Sequence, residues 1–181
     1  YAGKALVILR ATDESGETKL TISANIAFDI AIPEEAVLTW GIRHITDGDV
    51  AAFRAHGYTC KLLACAGLQE VGSLYAVVEP CLLGSDWPEA AVPSNYNLIS
   101  MEGDAIGKES FFGQGAGRLP TAYNVVQDLV DIDEGVRHFY TAERRDRMVD
   151  NTLLRRWYYV RSTADSSWLK GHTESRWAEG G

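Results

Sequence analysis

The 181 residues carry a net charge of -8 and are 46% hydrophobic and 23% charged. This is an ordinary globular composition at a length that buries roughly 70% of the surface an unfolded chain exposes. No stretch approaches the roughly 18 consecutive apolar residues of a membrane span, and the acidic balance excludes a surface built mainly for nucleic-acid phosphates. KALVILRAT, from Lys4 to Thr12, is a run of branched apolar residues and predicts a strand, closed by the polar turn Asp13-Glu14-Ser15-Gly16. From Glu17 to Asp29, Leu20, Ala24, Ala27 and Phe28 recur at helical spacing, and Ile22 and Ile26 widen the face, so a largely buried helix is expected. Pro33-Glu34-Glu35 reads as the start of another helix ending at Gly41, because proline suits a first turn and acids suit the positive end of the dipole. Thr46-Asp47-Gly48-Asp49 has capping-box spacing with Asp in place of Glu, and predicts a short helix that Gly57 ends.

Four extended runs follow, YTCKLLACAGL, GSLYAVVEPCLL, NYNLISMEGD and IGKESFFG, and they predict a sheet with one long connection from Asp86 to Ser94. The clearest helix follows Pro120, with Ala122, Val125, Val126, Leu129 and Val130 on one stripe and Asn124, Gln127, Asp128 and Asp131 opposite. Tyr140 to Val149 reads as a charged helix. The late arginines Arg144, Arg145, Arg147, Arg155 and Arg156, interleaved with Glu143, Asp146 and Asp150, read as a solvated face. RRWYYVRST, from Arg155 to Thr163, alternates as an edge strand does, and SSWLKGHTESRWAEGG reads as a tail or arm. Consecutive strands without helical crossovers give an α+β class, with a mixed or largely antiparallel sheet covered by helices on one face. Residues 1–135 form the main domain, and residues 136–181 add a helix, an edge strand and a tail.

Three cysteines, Cys60, Cys65 and Cys81, lie in apolar surroundings without CxxC spacing, so reduced buried thiols are expected rather than a disulfide framework or a zinc site. His44, His56, His138 and His172 have no ligand spacing, and no metal site is expected. No charged segment followed by an apolar one marks a signal peptide, and the cytoplasm is the expected compartment. Two features can carry chemistry. FFGQGAGR places Gly113, Gly115 and Gly117 directly before a helix, where glycines let backbone amides approach a ligand and the helix end adds unsatisfied N–H groups. A tight structural turn explains the same spacing. Lys19, close to Asp13, Glu14 and Glu17, is either a proton donor to a carbonyl oxygen or a solubilising charge.

Two long stretches and one short one resemble the substrate-binding and catalytic domain of homoserine dehydrogenases. TKLTISANIAFDIAIPEEAVLTWGIRHITDGDVAAFRAHGYTCKLLACA is similar to that family's helix, its "GI..IT..D" segment and the following strand. VVEPCLLGSDWPEAAVPSNYNLISMEGDAIGKESFFGQGAGRLPTAYNVVQDLVDI is similar to the family's segment running through "GD..G" and "GPGAG..PTA". KALVILRAT resembles a short strand that precedes them, and RRWYYVRSTAD resembles the opening strand of the regulatory domain that follows in many members. The family reduces aspartate semialdehyde to homoserine with NAD(P)H. The resemblance implies Lys19 as the catalytic lysine, because TKLTI stands where the family has AKLAI, and Gly115, Ala116 and Gly117 as the cofactor-side loop. The substrate-binding positions the resemblance implies are Asp13 and Glu14, either of which takes the place of the family's aspartate before the lysine only if the turn shifts; of the family's acidic substrate-binding segment only Asp13 to Thr18 remains. The resemblance also implies a homodimer paired through the sheet.

Departures bear on activity. No βαβ unit with a dinucleotide fingerprint is present, Ser15 stands where the family has an aspartate four residues before the lysine, and Arg118 follows the loop in place of a glycine. The expectation is therefore a catalytic and dimerisation domain that is inactive alone or completed by a separate nucleotide-binding subunit. The alternative is a non-enzymatic ligand-binding or assembly module that keeps the fold.

Overall fold

A computed structural model describes residues 5–10, 16–68, 73–136, 145–163 and 167. Strands β1 (Ala5–Arg10), β4 (Tyr58–Leu68), β5 (Leu74–Gly84), β6 (Tyr96–Gly103) and β7 (Gly107–Gln114) join the two-residue β3 (Leu38–Thr39) in one six-stranded sheet. The order is β3-β5-β4-β1-β6-β7, and every pairing is antiparallel except that of β3 with β5. The class is α+β with a mixed, largely antiparallel sheet. A second, two-stranded sheet pairs β2 (Ile30–Ala31) with β8 (Arg145–Asp146) in parallel.

Alternation along β4 and β5 divides their side chains between two layers. Ala64, Ala66, Ala76 and Val78 face helix α1 (Gly16–Phe28) and pack with its Leu20 and Ala24. Three alanines on the sheet opposite an alanine on the helix let the two backbones approach closely. Leu63, Cys65, Val77 and Leu83 form the core of the opposite face, with Ala90 and Leu154 against them. Asn25 fixes α1 to the chain that follows it: its Oδ1 accepts from the Ile32 N–H at 2.9 Å and its Nδ2 donates to the Ile32 carbonyl at 3.3 Å. The helix is not largely buried as its composition suggests, because Ile22 and Ile26 are about half exposed and only the Leu20–Ala24 stripe meets the sheet.

Helix α2 (Asp47–Ala55) begins with the reciprocal capping box that its sequence predicts, Thr46 and Asp49 each accepting from the other's backbone N–H. The helix expected from Pro33 to Gly41 is instead a single 3-10 turn, Glu34–Ala36, followed by β3. Leu38 and Thr39 are drawn into register with Val77 and Val78, a pairing with distant residues that outweighs local helix signals.

The charged helix expected over Tyr140 to Val149 is also corrected. Residues 137–144 lie outside those described, Arg145–Asp146 is a strand, and Leu74 forms a parallel bridge with Val149. The strand expected from Arg155 to Thr163 is extended but joins no ladder. This segment crosses the sheet as a strap held by side chains. Asn151 accepts from the Ala76 N–H at 2.9 Å and donates to the Ala36 carbonyl at 3.4 Å. Arg156 pairs with Glu79, and Tyr159 meets Phe53 edge to face at 4.8 Å. Arg161 pairs with Asp49 and donates to the Thr46 hydroxyl and the His44 carbonyl. Arg156 is thus anchored, not part of a solvated face: its guanidinium finds a carboxylate 77 positions away.

Helix α3 (Arg118–Asp133) stands apart from this packing. None of its residues is buried, although the apolar stripe read from the sequence is intact.

Candidate functional site

The strand register puts the end of β1, which leads toward α1, and the end of β7, which leads into the glycine turn, at the same end of the sheet. Leu9, next to the last residue of β1, lies opposite Ile99, so the chain leaving β1 is level with Asn97 and the start of β6. Only residues 11–15 separate β1 from α1, a span of at most roughly 20 Å. Lys19, in the first turn of α1, is exposed. β7 ends at the same edge, where Gln114 pairs with Tyr96 and Gly113 with Asn97. The Gly115–Gly117 turn then leads into α3. Asp13 and Glu14 lie outside the described residues.

Ile99 and Met101 pack against the α1 core, so Asn97 and Gly113, which alternate with them in register, belong to the same face as α1. A Cβ on Gly113 would meet nothing within 4 Å among the described residues, and Phe111 beside it is 57% exposed. The end of the sheet between α1 and β7 is therefore an open shelf floored by Gly113 and edged by Asn97.

The glycines that the sequence groups together have different physical reasons. Gly117 has φ +124°, a conformation that a side chain disfavours, and its carbonyl accepts from the Thr121 N–H at 3.1 Å as α3 begins. Gly115 has no such backbone demand. A Cβ there would lie 1.5 Å from Asn97 Nδ2, so its hydrogen is required by the Asn97 side chain. Asn95 Nδ2 donates to the Ala116 carbonyl at 3.0 Å. Its neighbour Ser94 is held at φ +37°, in the left-handed region that non-glycine residues seldom occupy. Sequence reasoning missed both asparagines. Their only signal is the alternation in Asn95-Tyr96-Asn97 at the start of a strand that pairs with the glycine run.

Other titratable groups are structural. Asp49 is buried, and its carboxyl is held down to about 2, chiefly by the Thr46 backbone and side-chain donors, with Tyr159 and Arg161 adding to the effect. Burial pushes the Cys65 thiol up and the Cys81 thiol up to about 12, so neither is a ready nucleophile. All three cysteines are free. Glu89 is fully buried, accepts from Ser100 Oγ at 2.6 Å and lies 3.5 Å from Lys108 Nζ. Among the described residues no cluster of three or more His, Cys, Asp or Glu side chains is placed to hold a metal, and no helix is long and apolar enough to cross a membrane.

These features define an α+β domain with one polar, open sheet end, bounded by a lysine-bearing helix and a braced glycine turn. The sequence profile of homoserine dehydrogenase matches residues 14–130. The chain belongs to the homoserine dehydrogenase family. It is 39% identical over 120 residues to the homoserine dehydrogenase of Bacillus subtilis, covering 66% of this chain and 27% of that protein. It is 42% identical over 142 residues to that of Pseudomonas aeruginosa, covering 75% and 32%. The crystal structure of a homoserine dehydrogenase from Thiobacillus denitrificans superimposes with a TM-score of 0.66 at 25% identity, over 81% of this chain and 46% of that one. A Staphylococcus aureus homoserine dehydrogenase structure gives 0.59 at 32% identity, over 69% and 32%. The chain thus spans about a third or less of the curated relatives it matches.

Proposed function

We propose that this chain is the catalytic and dimerisation portion of a homoserine dehydrogenase, reducing aspartate semialdehyde to homoserine when a nucleotide-binding portion completes the cofactor site. The observation that carries this reading is one end of the sheet, where β1 runs out toward the Lys19 helix and β7 leads through Gly113 into the Gly115–Gly117 turn. The open floor, the Asn97 carboxamide and the first-turn N–H groups of α3 fit the nicotinamide end of NAD(P). When bound, the cofactor supplies the hydride to the aldehyde carbon. Lys19 Nζ holds the proton for the aldehyde oxygen, and Asp13 and Glu14 hold the substrate amine. The turn contributes backbone amides and a surface with no side chain larger than the Ala116 methyl.

A partner requirement has independent support in α3. Leu119, Tyr123, Val126 and Leu129 are each more than half exposed, a stripe that a completing nucleotide-binding portion would cover. Strand β7 supports homodimer pairing, because it is a sheet edge with all eight residues exposed. Light scattering of the purified chain tests the dimer, with a monomer at all concentrations as the contrary result.

The test of activity follows NADPH oxidation by aspartate semialdehyde. The chain is assayed alone and after joining it behind the nucleotide-binding half of the Pseudomonas aeruginosa relative. Turnover in the joined protein that Lys19→Ala abolishes supports the enzyme reading. A folded joined protein with no turnover and no thermal shift by NADPH favours the binding or assembly module.

A further inference from the structure

We infer that Asn95 and Asn97 are positioning residues for the Gly115–Gly117 turn, so that the loop's shape is set by two carboxamides, one just before and one within the start of the neighbouring strand, rather than by the glycines alone. The inference rests on the proposed site but stands on separate geometry. Asn95 Nδ2 donates to the Ala116 carbonyl at 3.0 Å, across 21 positions of sequence. The backbone strain at Ser94 directly precedes it, φ +37° in a residue with a Cβ, and such strain persists where surrounding contacts over-determine it. Asn97 occupies the volume that a side chain at position 115 would take, its Nδ2 1.5 Å and its Cγ 2.8 Å from the ideal Cβ.

Each glycine therefore has a distinct relation to these side chains. Gly117 supplies the conformation that starts α3, and a Cβ there would lie 3.8 Å from Asn95 Nδ2. Gly115 supplies room for Asn97. Gly113, opposite Asn97 in the register, leaves the floor open. Asn97 has the α1 face of the sheet on one side and the turn on the other.

Two measurements on the full 181-residue chain and its joined form test this. Nitrogen-15 relaxation in the isolated chain reads the order of the turn, with Ile99 and Ser100 in β6 as internal reference. Asn95→Ala and Asn97→Ala are each expected to lower the order parameters at Ala116 and Gly117 from about 0.85 to below about 0.6, leaving β6 unchanged. Gly115→Ala, which drives the Asn97 carboxamide off its place, is expected to reproduce Asn97→Ala. The double variant should be no worse than either single one. Additive effects, or a turn that stays ordered in both asparagine variants, overturn the inference. In the joined protein Asn97→Ala is expected to lower kcat about tenfold with KM for the semialdehyde unchanged, a split that loss of stability alone does not produce. Wild-type kcat alongside a disordered turn would also overturn the functional role. If Lys19→Ala leaves turnover intact, the proposed reaction fails while the relaxation result still decides the positioning.

Discussion

Strands β4 and β5, near the middle of the sheet, carry core on both faces, whereas β7 at its edge has all eight residues exposed and leads into a helix with none buried. Both regions have strong apolar patterning. In the first, apolar residues meet α1 and the strap within the same chain. In the second, they face outward beside the glycine turn. Apolar periodicity thus reports which residues seek cover, and leaves open whether the chain itself supplies it. The central strands hold the domain together, and the β7–α3 edge leaves its apolar residues exposed.

The largest expected effect separates chemistry from folding. If Lys19 is the proton donor proposed above, Lys19→Ala in the joined protein should lower kcat by roughly 100- to 10,000-fold while changing stability by no more than about 0.5 kcal/mol, the range of an exposed side chain. Next, Leu20→Ala, which opens the fully buried contact between α1 and the sheet, should cost about 2–5 kcal/mol in chemical denaturation. Asp49→Ala removes a capping box and leaves Arg161 without its buried partner, and should cost about 2 kcal/mol.

The same carboxyl gives a pH signature. Its folded value of about 2 lies below the ordinary aspartate value of 3.8, so the stability it contributes is full above about pH 4–5 and is lost as the pH falls toward 2. Acid titration of the wild type against Asp49→Asn reads that difference. The smallest effect is the sharpest test of the comparison. Leu129→Ala on α3 should change the stability of the isolated chain by no more than about 0.5 kcal/mol, since the residue is 60% exposed. A loss as large as that of Leu20→Ala would mean that α3 is packed against this chain after all.

Much of this was legible in the sequence, for identifiable reasons. The runs that became β4 to β7 alternate or are continuously apolar between polar turns, and Thr46 to Asp49 declares a helix start through residues three apart. Local signals failed where distant partners decide. Pro33-Glu34-Glu35 begins a single turn because Leu38 and Thr39 pair with Val77 and Val78. Of the late arginines read as solvated, Arg156 proves otherwise because the fold brings Glu79 to it. Asn97 is invisible as a loop-shaping residue until the β6–β7 register sets it beside Gly115. At the candidate site, the lysine and the glycine turn were found by pattern, and their braces required the structure.

The strap has a consequence for the order in which the protein assembles. The β4–β5 hairpin closes between near neighbours, Leu68 opposite Leu74, whereas the strap's contacts join residues 75 to 117 positions apart. Contacts of such separation carry the larger loop-closure entropy and form late. On the ribosome, Arg161 emerges 112 residues after the Asp49 it pairs with, so until then that carboxylate has only the capping-box donors of Thr46. Native-state hydrogen exchange should find the same boundary in reverse, with the amides of Leu74 and Ala76 that bond to the strap opening before those deep in β4.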